Sequence, residues 1–210
     1  MNKFRDSLLA AGKVLPVMEE FYTLQGEGFN TGQAAYFIRI GGCDVGCSWC
    51  DVKESWNAQL YPPVETDGVI ERALQYPAKA VVITGGEPFN YNLGYLSDRL
   101  RASGVKIFIE TSGSRPLSGS PDWLCLSPKK GSPPLDEILL KSDELKVIIQ
   151  DETDLSWAEE NAVKVNPGCA LFLQPEWSHR NAIMPVIISY IKEHPQWRIS
   201  LQSHKYMRIP

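Results

Sequence analysis

The chain has 210 residues, 43% of them hydrophobic and 22% charged, with a formal net charge of −4. That is enough apolar material for one sizeable core and the balance of an ordinary globular protein. The acidic balance argues against a nucleic-acid partner, which calls for a basic patch. No run approaches the ~18 apolar residues of a membrane helix, and the start Met1-Asn2-Lys3-Phe4-Arg5-Asp6 lacks the apolar core of a secretory signal. No membrane association is expected. The five cysteines, three of them bunched, make a poor disulfide framework and suit a reducing cytoplasm.

Residues 1–17 read as a lead-in, weakly amphipathic up to Gly12, and residues 18–210 as a single domain. Met18 to Leu24 reads as a strand, followed by the turn-rich Gln25-Gly26-Glu27-Gly28 and a second turn at Gly32. Ala35 to Ile40 is a β-rich run ending in Gly41-Gly42. Val64 to Tyr76 has helical spacing, with Val64, Val69, Ile70, Ala73 and Leu74 as its apolar positions. Ala80 to Ile83 is a short continuous apolar run, the pattern of a strand buried on both faces. Asn92 to Ala102 is helical, with Gly104 closing it. Further strands are expected at Val105–Ile109, Trp123–Leu126, Leu145–Ile149 and Ala170–Leu173, and helices at Thr153–Val165 and Ala182–Glu193. Trp197 to Leu201 is a candidate last short strand.

Short buried strands alternating with helices indicate parallel βα units. About six such strands, against eight for a full TIM barrel, predict an α/β fold with a partial, open βα barrel. Nothing in the chain reads as a repeat or a dividing linker. In such folds the chemistry sits at the carboxyl ends of the strands. Small and polar clusters stand at those ends: Thr84-Gly85-Gly86-Glu87-Pro88-Phe89, Glu110-Thr111-Ser112-Gly113, Ser127-Pro128-Lys129 and Gln174-Pro175-Glu176-Trp177. Several together point to one shared pocket.

The strand Ala35–Ile40 runs into Cys43-Asp44-Val45-Gly46-Cys47-Ser48-Trp49-Cys50, three cysteines spaced C-x3-C-x2-C. Three thiolates on one loop can hold a soft metal centre. A structural zinc site is closed by four ligands, and no fourth ligand stands nearby: the remaining candidates are Cys125, Cys169, His179, His194 and His204. A cluster with one iron open to another ligand is the better reading. Unpaired structural thiols and a zinc site closed from a distance stay open. A redox pair of Cys47 and Cys50 leaves Cys43 unexplained. Cys125 and Cys169, in or beside apolar strands, read as buried structural thiols. Gly85-Gly86 allows backbone to approach a ligand closely, or simply makes a tight strand-to-helix turn.

The cysteine spacing with Trp49 before the last cysteine resembles the radical S-adenosylmethionine (SAM) superfamily, and Gly85-Gly86-Glu87-Pro88 resembles its GGEP motif. Within it the chain resembles the 7-carboxy-7-deazaguanine synthase family. The matches include Phe21 to Gly28, Arg39, Glu144-Leu145-Lys146, Gln174-Pro175 and the tail Gln202 to Pro210, and coverage is residues 18–210. The resemblance implies that Cys43, Cys47 and Cys50 hold a [4Fe-4S] cluster whose fourth iron chelates SAM. It implies a SAM site lined by Trp49, Cys50, Asp51, Gly86, Ser127, Pro128, Lys129, Gln174 and Pro175. It implies a pterin site made by Leu24, Gln25, Gly26, Glu27, Arg39, Thr84 and the terminal carboxylate of Pro210. Arg39 offers planar donors suited to a substrate carboxylate, or else makes a surface salt bridge at the barrel rim. Glu27 can accept from the guanidine-like edge of a pterin, or else is a turn residue.

The activity implied is that of a carbon–nitrogen lyase. It converts 6-carboxy-5,6,7,8-tetrahydropterin to 7-carboxy-7-deazaguanine with loss of ammonia, through a 5′-deoxyadenosyl radical, in queuosine biosynthesis. No catalytic side chain is assigned, since cluster and SAM generate the radical. A reducing protein such as flavodoxin, a homodimer covering the open side and a cytoplasmic location come with the same resemblance. Two other classes stay open. A glycyl-radical activating enzyme shares the cysteine loop but has no need of Gln25-Gly26-Glu27 or the Pro210 ending. A non-enzymatic zinc module needs neither. One departure stands out: the family usually places an Mg2+-ligating threonine where this chain has Val52. Valine offers a hard cation no oxygen. Either substrate and water alone hold the ion, with Asp51 nearby, or it is dispensed with and Lys53 supplies the charge. His204 and Lys205, near the tail, are assigned no chemical role beyond packing or substrate contact.

Overall fold

The computed structural model describes residues 3–210. In chain order the elements are α1 (Lys3–Ala10), β1 (Val14–Leu15), β2 (Val17–Leu24), β3 (Ala34–Ile40), β4 (Val64–Glu65), α2 (Thr66–Leu74), β5 (Ala80–Gly85), α3 (Gly94–Ala102), β6 (Lys106–Thr111), β7 (Trp123–Leu126), α4 (Asp136–Lys141), β8 (Glu144–Ile149), α5 (Thr153–Ala162), β9 (Ala170–Pro175), α6 (Arg180–Glu193), β10 (Trp197–Ile199) and α7 (Ser203–Met207). Eight strands form one sheet in the order β10-β9-β8-β7-β6-β5-β3-β2. β2 alone is antiparallel, to β3; the other neighbours are parallel. The sheet curls as an open barrel with β2 and β10 as its two edges. The expected short strand at Trp197 is present and is the last of the parallel set.

Successive strand residues point to opposite faces, and both faces are buried. Tyr36, Ile38 and Ile40 of β3, Val81 and Ile83 of β5, Ile107 and Ile109 of β6, and Leu124 and Leu126 of β7 pack outward. They meet Val69 and Ile70 of α2, Leu96 and Leu100 of α3 and Ile138 of α4 in the main core. The alternate residues Ala35 and Phe37, Ala80 and Val82, and Phe108 form a smaller inner core with Phe21 and Trp123. This double burial explains the continuous apolar strands of the sequence.

The helix expected from Val64 begins at Thr66 instead. Val64 and Glu65 pair with Leu15 and Val14, and the Thr66 hydroxyl donates to the Gly12 carbonyl at 2.8 Å. A partner some fifty residues away thus overrides helical spacing. The helix expected from Asn92 begins at Gly94, whose N–H donates to the Asn92 side chain at 2.9 Å.

Candidate active site

The inner face becomes polar toward the carboxyl ends of the strands. On β3 Phe37 gives way to Arg39, on β5 Val82 to Thr84, on β6 Phe108 to Glu110, and on β7 Cys125 leads to Ser127. Register aligns these residues laterally: Arg39 lies opposite Thr84, Glu110 opposite Cys125, and Cys125 opposite Glu144. Above them opens a cavity of about 400 Å³.

Two loops meet over it. Gly86 N–H donates to the Ile40 carbonyl at 2.8 Å and Glu87 N–H to the Gly42 carbonyl at 2.9 Å, so the glycine loop is bonded to the stem of the cysteine loop. A Cβ on Gly86 would collide with the Gly42 carbonyl oxygen and reach the Cys43 Cβ at 3.0 Å, and Gly85 has φ +132°. Glycine is required at both. The buried Glu87 carboxylate fastens this loop to the end of β6, accepting from the Thr111 hydroxyl at 2.6 Å and from Ser112 N–H at 2.9 Å. On its far side the cysteine loop is tied down by an ion pair between Asp44 and Arg115.

Cys43, Cys47 and Cys50 are free thiols and all line the cavity. Burial pushes the Cys43 and Cys47 thiols up, with the Lys129 ammonium pulling Cys47 the other way. Among the described residues no group of three His, Cys, Asp or Glu side chains stands at single-ion geometry. Three thiols on one wall, beside glycine backbone that a Cβ would fill, suit a cluster with a ligand at its open corner. The ring of His204 packs against Gly26 instead. Lys129 Nζ donates to Ser127 Oγ at 2.7 Å and lies 5.4 Å from the Trp49 ring centroid; burial draws its pKa down.

The opposite wall does not come from carboxyl strand ends. Because β2 is antiparallel, Leu24 lies beside Ala34, the first residue of β3. The loop that follows enters the barrel from its amino side. Phe29 stacks on Trp123, ring centroids 4.4 Å apart, and its N–H donates to Glu144 at 3.3 Å. Glu27 accepts from Lys146 Nζ at 2.5 Å and from Gln202 Nε2 at 2.9 Å. Gln25 donates to Glu110 at 2.8 Å, and Lys146 lies 3.8 Å from the same carboxylate. Burial acts to raise the Glu27 carboxyl, but the Lys146 ammonium and the donors of Lys146, Gln174 and Gln202 outweigh it and hold it at about 2. Burial likewise acts to lower Lys146, and Glu110 and Glu27 push it well above the ordinary lysine value. The tail closes this side. Ser203 N–H donates to the Gly26 carbonyl at 2.9 Å, and the left-handed Arg208, φ 56°, ends α7 and turns Pro210 back to the cavity.

Of the residues singled out from sequence, Leu24, Gln25, Gly26, Glu27, Arg39, the three cysteines, Trp49, Asp51, Val52, Thr84, Gly86, Ser127, Lys129, Gln174, Pro175 and Pro210 all line this cavity. Pro128 does not; it is buried behind the wall. Lys53 is exposed, its Nζ 6.0 Å from the Trp56 ring, and lies off the wall. Arg39 uses Nε for Glu19 at 2.6 Å. Glu110, Lys146, Trp177 and Gln202 also line the cavity without having been assigned a role, and Lys205 and His204 line it as well. A lysine inside the apolar strand Glu144–Ile149 was the available signal for Lys146.

The Radical SAM superfamily model matches residues 37–146. A 7-carboxy-7-deazaguanine synthase of Flavobacterium psychrophilum is 56% identical over 95% of this chain and 94% of that protein. The chain belongs to the 7-carboxy-7-deazaguanine synthase family. The namesake of Synechocystis sp. is 45% identical over 92% of this chain and 93% of its own. The crystal structure of QueE from Escherichia coli superposes with a TM-score of 0.83 at 31% identity, covering 95% of this chain and 98% of that one. Membership in the 7-carboxy-7-deazaguanine synthase family makes this a radical SAM enzyme, implies a [4Fe-4S] cluster and SAM, and sets aside the activating-enzyme and zinc-module alternatives. No helix among the described residues is long and apolar enough to cross a membrane.

Proposed function

We propose that the chain converts 6-carboxy-5,6,7,8-tetrahydropterin to 7-carboxy-7-deazaguanine with loss of ammonia. The observation that carries this reading is that three free thiols, a glycine loop with no room for a Cβ, and the Gln25–Glu27 segment all face one cavity. When bound, the cluster supplies the electron that cleaves SAM. The side chains do the rest. Cys43, Cys47 and Cys50 hold three cluster corners. Gly86 backbone, Trp49, Asp51, Ser127, Lys129 and Gln174 position SAM against it, with Pro128 supporting that wall from behind. Glu27, kept ionised by Lys146, accepts from the guanidine-like edge of the pterin, and Arg39 donates through its free guanidinium nitrogens to the carboxylate. Leu24, Gln25, Gly26, Thr84 and the Pro210 terminus complete that pocket and exclude water.

A reducing protein such as flavodoxin, a homodimer and a cytoplasmic location belong to the same proposal. The reaction is tested by anaerobic reconstitution with iron and sulfide, then incubation with dithionite, SAM and the pterin, read by mass spectrometry. The expected product is 7-carboxy-7-deazaguanine, absent with Cys47→Ala. Release of 5′-deoxyadenosine with the pterin untouched would sink the substrate assignment.

A further inference from the structure

The family pattern implies an Mg2+ ion bound through a threonine hydroxyl at the position of Val52, and the residues around that position do not fit one. Val52 lines the cavity without an oxygen to offer. The nearby hydroxyl of Ser55 is buried and spent on the Val52 carbonyl at 2.7 Å. Each of the four acidic side chains on the wall already has a partner among the described residues, and Asp51 alone keeps one oxygen, Oδ1, without one, in the cavity that the chain-terminal Pro210 also lines. Glu27 is held by Lys146 and Gln202, Glu110 by Gln25, and Glu176 by Ser178 and His179. Asp51 Oδ2 accepts from Lys205 Nζ at 2.7 Å and faces Gln202 Nε2 at 3.4 Å. Mg2+ requires a near-octahedral shell of oxygens at short distance, and here the carboxylate next to Val52 is paired with an ammonium.

That ammonium is held in place. Lys205 Nζ also donates to Gln202 Oε1 at 3.2 Å and lies 5.0 Å from the centroid of the Trp177 ring. Trp177 is in turn braced edge-on by Tyr206, centroids 5.2 Å apart. The Lys205 side chain is only 19% exposed. An ammonium has three N–H donors; Asp51 and Gln202 use two, which leaves one for a ligand in the cavity that Lys205 lines. Gln202 bonds Glu27 through its amide nitrogen and Lys205 through its carbonyl, so the cation stands beside the pterin pocket.

We propose that, with no oxygen offered at Val52, Lys205 is the cation that serves this corner of the cavity. Its free N–H donates to the substrate carboxylate, and binding needs no metal at the Asp51–Val52 corner. This rests on the pterin reading above. The test uses the cluster-reconstituted protein with SAM and no reductant, so that nothing turns over. Binding of 6-carboxytetrahydropterin and of tetrahydropterin, which lacks the carboxylate, is measured with and without Mg2+. Mn2+ uptake is followed by electron paramagnetic resonance.

Mg2+ should change the wild-type Kd by less than about twofold, with no stoichiometric Mn2+ bound, and Lys205→Ala should weaken the carboxylated pterin by about tenfold or more. Tetrahydropterin should bind Lys205→Ala as it binds the wild type, and Lys205→Arg should recover most of the loss. Equal weakening of both pterins would mean that Lys205 only supports the fold and would overturn the inference. So would stoichiometric Mn2+ binding, or strong tightening by Mg2+. Carboxylated pterin bound equally by wild type and Lys205→Ala overturns this inference and leaves the pterin reading standing. No pterin bound by the wild type overturns both.

Discussion

Replacing Lys146 by methionine removes the one ammonium that Glu27 meets at 2.5 Å and Glu110 at 3.8 Å. Methionine keeps the apolar stem, so the change is chiefly one of charge. Lys146 is 4% exposed at its side chain and Glu27 16%, which leaves little water to take over. A carboxyl held at about 2 rather than at its ordinary 4.5 corresponds to about 3 kcal/mol of stability. That shift also contains burial and the Gln174 and Gln202 donors, and it is of the same order as the about 3–5 kcal/mol lost when a buried pair is broken by removing one partner. For a domain of this size that is a fall in Tm of about 6–12 °C.

The pH dependence follows from the direction of each shift. Glu27 titrates lower in the folded state, so its contribution is whole above pH 4.5 and is lost as pH falls toward about 2. Lys146 titrates higher, so its contribution is whole below its ordinary 10.5 and is lost only as pH rises beyond that. In Lys146→Met only the Gln174 and Gln202 donors still oppose burial, so the Glu27 carboxyl rises from its wild-type value. Relative to the wild type, the variant should therefore be least stable near neutrality and recover part of the loss on acidification, where the wild-type Glu27–Lys146 pair gains nothing. Anaerobic calorimetry at pH 7 and pH 5 reads this directly, and Glu27→Gln in the Lys146→Met background should restore stability. A Lys146→Met protein within about 1 kcal/mol of wild type at neutral pH would refute the reasoning, as would unchanged pH dependence.

Two further outcomes are expected. Gly86→Ala forces a Cβ into the Gly42 carbonyl; the loops must part, at a cost of about 1–3 kcal/mol, and equilibrium dialysis should show weakened SAM binding while the mutant still folds. Arg39→Lys replaces a planar fork by a point charge; losing one charge-assisted bond of about 1.5–3 kcal/mol should raise KM for the pterin at least about tenfold, with iron content unchanged.

Much of this arrangement was legible in the sequence because its signals are local. The cysteine spacing, the glycine pair and the polar residues closing apolar runs each depend on neighbours along the chain. Val64–Glu65 misled because their partners, Val14 and Leu15, lie outside any local window. The strand-end rule located the clusters after β5, β6, β7 and β9 but not the Gln25–Glu27 wall. That wall depends on β2 running antiparallel, and the rule is stated for parallel strands.

Local spacing narrowed the chemistry to a soft metal centre or structural thiols on one loop, and alternating strands and helices pointed to βα units; the family resemblance chose among them. Tertiary structure alone decided which charges meet. Glu27 and Lys146 are 119 positions apart, and Asp51 and Lys205 are 154 apart. Whether a lysine is a solvated surface group or the counter-ion of a buried carboxylate depends on what the curled sheet places opposite it. Covalent spacing sets which groups are available, and the order and register of the strands set their electrostatics.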